Sequence, residues 1–201
     1  STLLASSAAS DVYKRQKYLW FDAEANFERF ASKDSISYYL EKAKSVGFNQ
    51  VVVDVKPIYG EVLYKSKILP PLTTVNGKVI HRDWDYLQYF INEARRLGLK
   101  VTVSTAMFPS GHPATNEGLV YEESRWDGKT CLEYTPDGKM LDIREDKKKV
   151  GAFLNPVRKD VRKFALSIVR EIVKNYDVDA YALDYCRYPC LLYTSDAADE
   201  A

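Results

Sequence analysis

Gln50-Val51-Val52-Val53-Asp54-Val55-Lys56 is a β-branched run stopped by Pro57, and its two faces differ. Successive side chains of a strand alternate faces, so Val51, Val53 and Val55 share one side while Val52, Asp54 and Lys56 share the other. The same asymmetry recurs in three further runs. In Lys17-Tyr-Leu-Trp-Phe-Asp22, Trp20 and Asp22 share a face that Glu24 continues. In Lys100-Val-Thr-Val-Ser-Thr105, Thr102 and Ser104 oppose Val101 and Val103. In Asp179-Ala-Tyr-Ala-Leu-Asp184, the small residues Ala180 and Ala182 lie on the face of Asp184, opposite Tyr181 and Leu183. Each run therefore has an apolar face to receive a helix and a second face that turns small or polar toward its C-terminal end.

Helical periodicity fills the intervals. Ile36, Tyr39, Leu40, Ala43 and Val46 fall on one helix face, with Ser32 and Asp34 available as N-cap oxygens and Gly47 as the stop. A second helix is expected from near Asp83, burying Leu87, Phe90, Ile91, Ala94 and Leu97 before Gly98. Asn155-Pro156 reads as an N-cap followed by Pro at the first helical position, opening a helix that buries Val161, Phe164, Ala165, Ile168, Val169, Ile172 and Tyr176. Strand alternating with helix implies right-handed βαβ units on a parallel sheet. Two architectures compete, an open doubly wound sheet and a (β/α)8 barrel. No Gly-rich phosphate turn follows any of the strands, which argues against dinucleotide binding. A sheet covered by helices on both sides reads as continuous apolar runs, whereas a barrel places polar groups at the C-terminal end of its lumen. The expected fold class is α/β, the N-terminal half of a (β/α)8 TIM barrel with about four βα units, because a whole barrel takes ~250 residues.

Composition narrows the function. Of 201 residues, 46% are hydrophobic and 28% charged, a globular balance. Lys and Arg number 29 against 28 Asp and Glu, so a net charge of +1 gives no general pull toward nucleic acid or an anionic membrane. No apolar run approaches the ~18 residues of a membrane span. Cys131, Cys186 and Cys190 form no C-x-x-C pair, and His81 and His112 offer no zinc-ligand spacing. No metal and no cofactor is expected, and oligomeric state has no signature in the sequence. Both ends read as foreign to the fold. Residues 1–16 and 190–201 are Ala/Ser-rich or adapter-like, so they are expected to be a non-native or disordered leader and tail around a partial barrel at 17–189.

Two long connections leave the C-terminal ends of strands and would wall one mouth. The first, from Pro57 to about Arg82, carries a hairpin signal, Thr73-Thr-Val-Asn-Gly-Lys-Val-Ile80 with Asn76-Gly77 as its turn. The second, from about Ala106 to Leu154, carries Pro136-Asp137-Gly138 between two short strand-like runs. Loops this long are uncommon unless functional. They bring Tyr59, Tyr64, Phe108, Tyr121, Trp126 and Tyr134, and with 15 tyrosines and 13% aromatics in the chain a ring-lined carbohydrate cleft is one reading and a ring-packed core the other. Tyr59 and Trp126 are taken as the candidate sugar-facing rings. The candidate polar set at the mouth is Asp22, Glu24, Asp54 and Asp184 with Lys56, Arg187 and Asn155. Converging carboxylates in such a cleft suit glycoside hydrolysis, in which one carboxyl protonates the leaving oxygen and another attacks or stabilises the sugar carbon. Structural ion pairs, for instance between Asp54 and Lys56, are the bland alternative. No Gly-x-Ser-x-Gly elbow supports an α/β-hydrolase.

Five stretches in order resemble one family: Lys17-Tyr-Leu-Trp-Phe-Asp-Ala-Glu-Ala-Asn-Phe27, Val51-Val-Val-Asp-Val-Lys-Pro57, Val101-Thr-Val-Ser-Thr-Ala-Met-Phe108, Phe153-Leu-Asn-Pro156 and Tyr181-Ala-Leu-Asp-Tyr-Cys-Arg-Tyr-Pro189. Together they are similar to the glycosyl hydrolase-like 10 family over essentially all of residues 17–189. The resemblance implies a (β/α)8 barrel acting on, or binding, polysaccharide, usually exported from the cytoplasm to the periplasm or beyond. In the wider α-amylase and α-galactosidase-like barrels, the resemblance further implies, the nucleophile is an Asp at the end of the fourth strand. Asp184 holds that place here, and the proton donor would come from a later strand. Asp22, Glu24, Asp54, Lys56, Asn155, Arg187, Tyr59 and Trp126 are then candidates for substrate binding. A glycosidase and a non-catalytic carbohydrate-binding barrel both remain open at this level. Four strands without the rest of a barrel are expected to expose the lumen face and the free edge of the last strand.

Overall fold

The computed structural model describes residues 17–135 and 137–189. The expectations for residues 1–16 and 190–201 lie outside the described residues. The main sheet has four strands in the order β1 (Tyr18–Phe21), β2 (Gln50–Lys56), β5 (Lys100–Ala106), β8 (Ala180–Asp184). The first pair is parallel, with Tyr18 opposite Gln50 and Phe21 opposite Val53. Between them run α1 (Lys33–Ser45), α2 (Tyr86–Arg96) and α4 (Lys159–Asn175), and two antiparallel hairpins, β3 (Thr74–Val75) with β4 (Lys78–Val79) and β6 (Leu132–Tyr134) with β7 (Met140–Asp142), stand in the long connections. A one-turn helix, α3 (Leu119–Glu122), lies in the second of these.

The described chain falls into two compact units. The first holds residues up to Val55 with Leu72–Ser104 and Tyr176–Ala182; the second holds Lys56–Pro71, Thr105–Asn175 and the residues from Leu183 onward. Most of the sheet belongs to the first unit, and the C-terminal tips of β2, β5 and β8 belong to the second.

In the first unit the helix-facing apolar sides of β2 and β5 are buried as the alternation requires, and their opposite face, expected to be exposed, is buried too at Val52, Thr102 and Ser104. Val51, Val53, Val55, Val101 and Val103 are fully buried, and so are Ile36 and Leu40 of α1 and Leu87, Phe90, Ile91 and Ala94 of α2. Burying each large side chain contributes about 1.5–3 kcal/mol. Phe21, Phe30 and Phe90 pack ring against ring, with centroids 5.1–6.0 Å apart. Helices α1 and α2 are also tied by Arg96, which bridges Glu41 at 2.7 Å and Glu93 at 2.9 Å. Ser32 caps α1, its Oγ accepting from Ser35 N at 3.2 Å. Asp85, two residues later than the expected start, caps α2 by accepting from Gln88 N at 3.1 Å. Its other oxygen accepts from the buried Tyr176 hydroxyl at 2.6 Å, so a tertiary contact selects Asp85 over Asp83. The Asn76-Gly77 turn forms as read, both residues having positive φ (50° and 74°), the requirement of a tight two-residue hairpin.

In the second unit α4 buries Val161, Ala165, Ile168 and Ile172. It begins at Lys159 rather than at Pro156. Asn155 opens a turn instead, its Oδ1 accepting from Val157 N at 3.0 Å and its carbonyl from Arg158 N at 3.1 Å. The first strand likewise stops at Phe21, one residue short of its expected end. Asp22 folds back to accept from Ala25 N at 2.6 Å and starts a series of turns, so Glu24 stands in a turn rather than on a strand face.

Candidate active site

Asp184 ends β8 and is exposed. Its carbonyl accepts from Met107 N at 2.8 Å, which fixes the strand tip beside the start of the long connection after β5. Its carboxylate accepts only a local bond, from the N–H of Tyr185 at 2.8 Å. No ion pair engages it among the described residues, so neither Arg187 nor Lys56 forms the strand-end pair that a purely structural role would call for. Tyr185 sits at φ 47°, a left-handed conformation that a bulky residue rarely adopts and that clusters at functional sites. That turn sends the Tyr185 ring against Phe153, centroids 5.9 Å apart, and Arg187 lays its guanidinium over the same ring at 5.5 Å. Arg187 thus stacks on Tyr185 instead of bending back over the carboxylate.

The other candidates of the second unit divide into buried supports and surface groups. Lys56 is fully buried and donates to the carbonyls of Ala106 at 2.5 Å and Pro109 at 2.8 Å. A cation in that position holds the backbone just beyond β5 in place. Tyr59 is buried and stacked on His112, centroids 5.6 Å apart and 16° from parallel. Its carbonyl receives Leu119 N at 3.0 Å. This close approach depends on Gly118, whose φ of 98° and contact with the Tyr59 carbonyl leave no room for a Cβ. Trp126 is buried against Phe164 at 4.6 Å with Arg125 over its face at 4.8 Å, so it packs the loop onto α4. Tyr64 donates to Glu171 of α4 at 3.2 Å, and Tyr134 stands exposed on the β6–β7 hairpin. Asn155 is half-buried at the turn before α4.

In the first unit Asp22 and Asp54 are half-buried at the C-terminal ends of β1 and β2. Both act on Tyr86, the first residue of α2. Burial pushes the Tyr86 phenol far up; the Arg82 charge opposes this, and Asp54 and Asp22 add to it. The Arg82 guanidinium lies over Phe27 at 5.0 Å and over Tyr86 at 5.4 Å, and donates through Nη2 to the carbonyls of Phe27 and Phe30 at 3.3 and 3.4 Å. Sequence reasoning missed this pair; the available signal was their place at the start of the helix that follows a strand with an acidic tip. Glu24 and Phe27 line a cleft of about 410 Å³ with Asn76 and Lys78 of the β3–β4 hairpin.

A second missed residue is Glu61, two places beyond Tyr59. Burial first, then the charges of Glu122 and Glu117, push its carboxyl up to about 7. A carboxyl that keeps its proton near neutrality has the property of a general acid. Its neighbours along the chain give no hint, because the acids that repel it lie more than fifty positions away. Among the described residues no group of three or more His, Cys, Asp or Glu side chains is arranged to hold a metal, and no helix is long and apolar enough to cross a membrane.

Comparison with known proteins bears on the family and the fold. The chain is 35% identical over 178 residues to an S-layer-related protein of Niallia circulans, a match covering 85% of this chain and 11% of that protein. It is 30% identical over 150 residues to the glycosyl hydrolase DigH of Escherichia coli K12, covering 72% of this chain and 32% of that protein. The chain therefore spans between about a tenth and a third of the curated relatives it matches. Among solved structures it superposes on a hypothetical protein from Ruminiclostridium thermocellum with a TM-score of 0.55 at 18% identity, over 86% of this chain and 77% of that one. It superposes on an alpha-L-fucosidase isoenzyme 2 from Paenibacillus thiaminolyticus with a TM-score of 0.58 at 20% identity, over 92% of this chain and 25% of that one. These likenesses are of fold, and with the sheet order they make the chain an α/β fold of about four βα units from a (β/α)8 barrel. The description glycosyl hydrolase-like 10 matches residues 16–201, and to that family the chain belongs.

Proposed function

We propose that the full-length protein is a glycoside hydrolase acting on an oligo- or polysaccharide, with Asp184 as the carboxylate that attacks or stabilises the sugar carbon. The observation that carries this reading is the exposed Asp184 carboxylate at the tip of β8, without an ion pair among the described residues and followed by a tyrosine at φ 47°. Barrel enzymes build their sites from the C-terminal ends of strands, and an ionised carboxylate is what an oxocarbenium-like centre requires. The proton donor would stand about 5–10 Å away, on a later strand. Asn155 serves as a hydrogen-bonding group of the same unit as Asp184. Membership of a glycosyl hydrolase-like family and a relative named glycosyl hydrolase support the reading.

A second reading is a carbohydrate-binding barrel without catalysis, since one relative is named as S-layer-related rather than as a hydrolase. That name also supports an exported protein, periplasmic or extracellular. One substitution separates the two readings. Asp184→Asn in the full-length protein keeps shape and most hydrogen bonding while removing the charge. The hydrolase reading expects turnover of a glycan substrate to fall at least about a thousandfold, with melting temperature and glycan binding retained. Near-wild-type turnover in a normally folded variant removes Asp184 from catalysis, and glycan binding by a wild-type protein that turns over no member of a broad glycan panel selects the binding barrel.

A further inference from the structure

A small cleft of about 190 Å³ opens beside the strand tip that carries Asp184. Lys148, Lys149, Val150, Gly151, Phe153, Arg187 and Pro189 line it. Its volume holds about six waters, a space on the scale of one sugar ring. The three cations at its rim are not equivalent. Lys149 is committed, its Nζ lying 3.0 Å from the buried Glu133 carboxylate and 3.8 Å from Asp146. Lys148 and Arg187 are exposed; Lys148 lies in the field of Asp146, whose carboxylate accepts from its backbone N–H at 3.0 Å, whereas Arg187 forms no ion pair among the described residues. Arg187 is nonetheless held in place, because its guanidinium rests on the Tyr185 ring at 5.5 Å. That ring in turn packs at 5.9 Å against Phe153, which lines the cleft. Tyr185 therefore joins the two features. Its N–H holds the Asp184 carboxylate, and its ring supports the wall and the guanidinium of the cleft.

A guanidinium held in place by stacking at the rim of a sugar-sized cleft, with Lys148 beside it, is a ready partner for an anion. A glycan with hydroxyl groups alone would leave the Arg187 charge to solvent. We propose that this cleft is a subsite for a sugar bearing a carboxylate, with Arg187 and Lys148 as its specificity-determining residues and Phe153 as the apolar wall against the ring. The subsite rests on the carbohydrate reading of the preceding subsection and extends it by naming the charge of the sugar next to Asp184. A guanidinium pre-oriented by stacking loses less freedom on binding than a free side chain, which is the physical reason for the Tyr185 platform.

The test uses the full-length protein on an array of matched oligosaccharides, each neutral glycan paired with its uronic-acid counterpart. The expected result is at least one uronate glycan bound about tenfold or more tightly than its neutral mate, with the preference shrinking as salt is raised. In Lys148→Gln/Arg187→Gln that preference collapses toward unity; Lys148→Arg keeps most of it, and Arg187→Lys, which keeps the charge but loses the planar stack on Tyr185, keeps only part. The melting temperature of each variant, measured alongside, establishes that an altered ratio comes from a folded protein. Equal binding of neutral and uronate mates by the wild type, or a preference that survives in the doubly neutralised variant, overturns the subsite while leaving the carbohydrate reading intact. Failure to bind any glycan of either kind overturns both together.

Discussion

Glu61 holds its proton up to about pH 7 because burial and the neighbouring Glu122 and Glu117 charges all oppose ionisation. The folded value lies above the ordinary 4.5 of the unfolded chain, so the folded state binds the proton more tightly. The stability linked to it is fully present below about pH 4.5 and is lost as pH rises through about 7. Wild-type melting temperature should therefore fall relative to Glu61→Gln between about pH 5 and about pH 8; a constant difference across that range would refute the coupling. Lys56 makes the complementary case. It is fully buried on two carbonyl acceptors, so Lys56→Met keeps the aliphatic stem but leaves those oxygens unanswered. Urea titration should show a loss of about 2 kcal/mol, and an unchanged midpoint would mean that the carbonyls find other donors.

At the scale of elements, Glu171 of α4 acts as a clasp on the connection after β2. Its carboxylate accepts from Ser66 Oγ at 2.6 Å, Lys67 N at 2.7 Å and Tyr64 Oη at 3.2 Å. Three donors converge on one anion, and an amide in its place would turn an N–H₂ toward some of them. Glu171→Gln is expected to cost about 1–2 kcal/mol and to raise the rate of proteolytic cleavage near Lys65 and Lys67. A cleavage rate equal to wild type would show that the segment is held by its own packing. Arg144 does similar service beyond the β6–β7 hairpin, reaching Asp142 at 3.0 Å, Asp127 at 2.9 Å and the Val120 carbonyl at 3.2 Å. Its run of mixed charge, Arg144 to Lys149, therefore holds loops together through Arg144 and supplies the cleft cations through Lys148 and Lys149, two roles that composition alone does not separate.

For the whole molecule, β1 and β8 are the outer strands of the four-stranded sheet among the described residues. Both carry exposed apolar groups: Trp20 is 48% exposed and Leu183 is 51% exposed. Outer strands of this kind template association unless charged or covered. The 201-residue chain should bind a hydrophobic dye and sediment as a mixture of associated species, and Leu183→Lys should reduce both. A dye-silent, monodisperse wild-type monomer would contradict this expectation.

The alternation of apolar and polar residues in Gln50–Lys56 and in the three other runs suffices to name four strands, the helix-facing sides of β2 and β5, and a barrel-type sheet, but not the side of β8, where Leu183 is 51% exposed. The reason is that a strand's faces are set two residues at a time and each apolar face must be buried. The hairpin at Asn76-Gly77 was legible for an equally local reason, the need for two positive φ angles. Asp184 was legible as the polar end of such a strand. Tertiary structure decided the rest. It moved Lys56 and Trp126 from the list of mouth groups to buried supports, since whether a long side chain reaches solvent or a carbonyl depends on the strand beside it. It turned Arg187 from Asp184 to the face of Tyr185. It also brought Glu61 beside Glu117 and Glu122, because a carboxyl's protonation follows the charges and burial around it in space, and those are supplied by residues that the chain order keeps far apart.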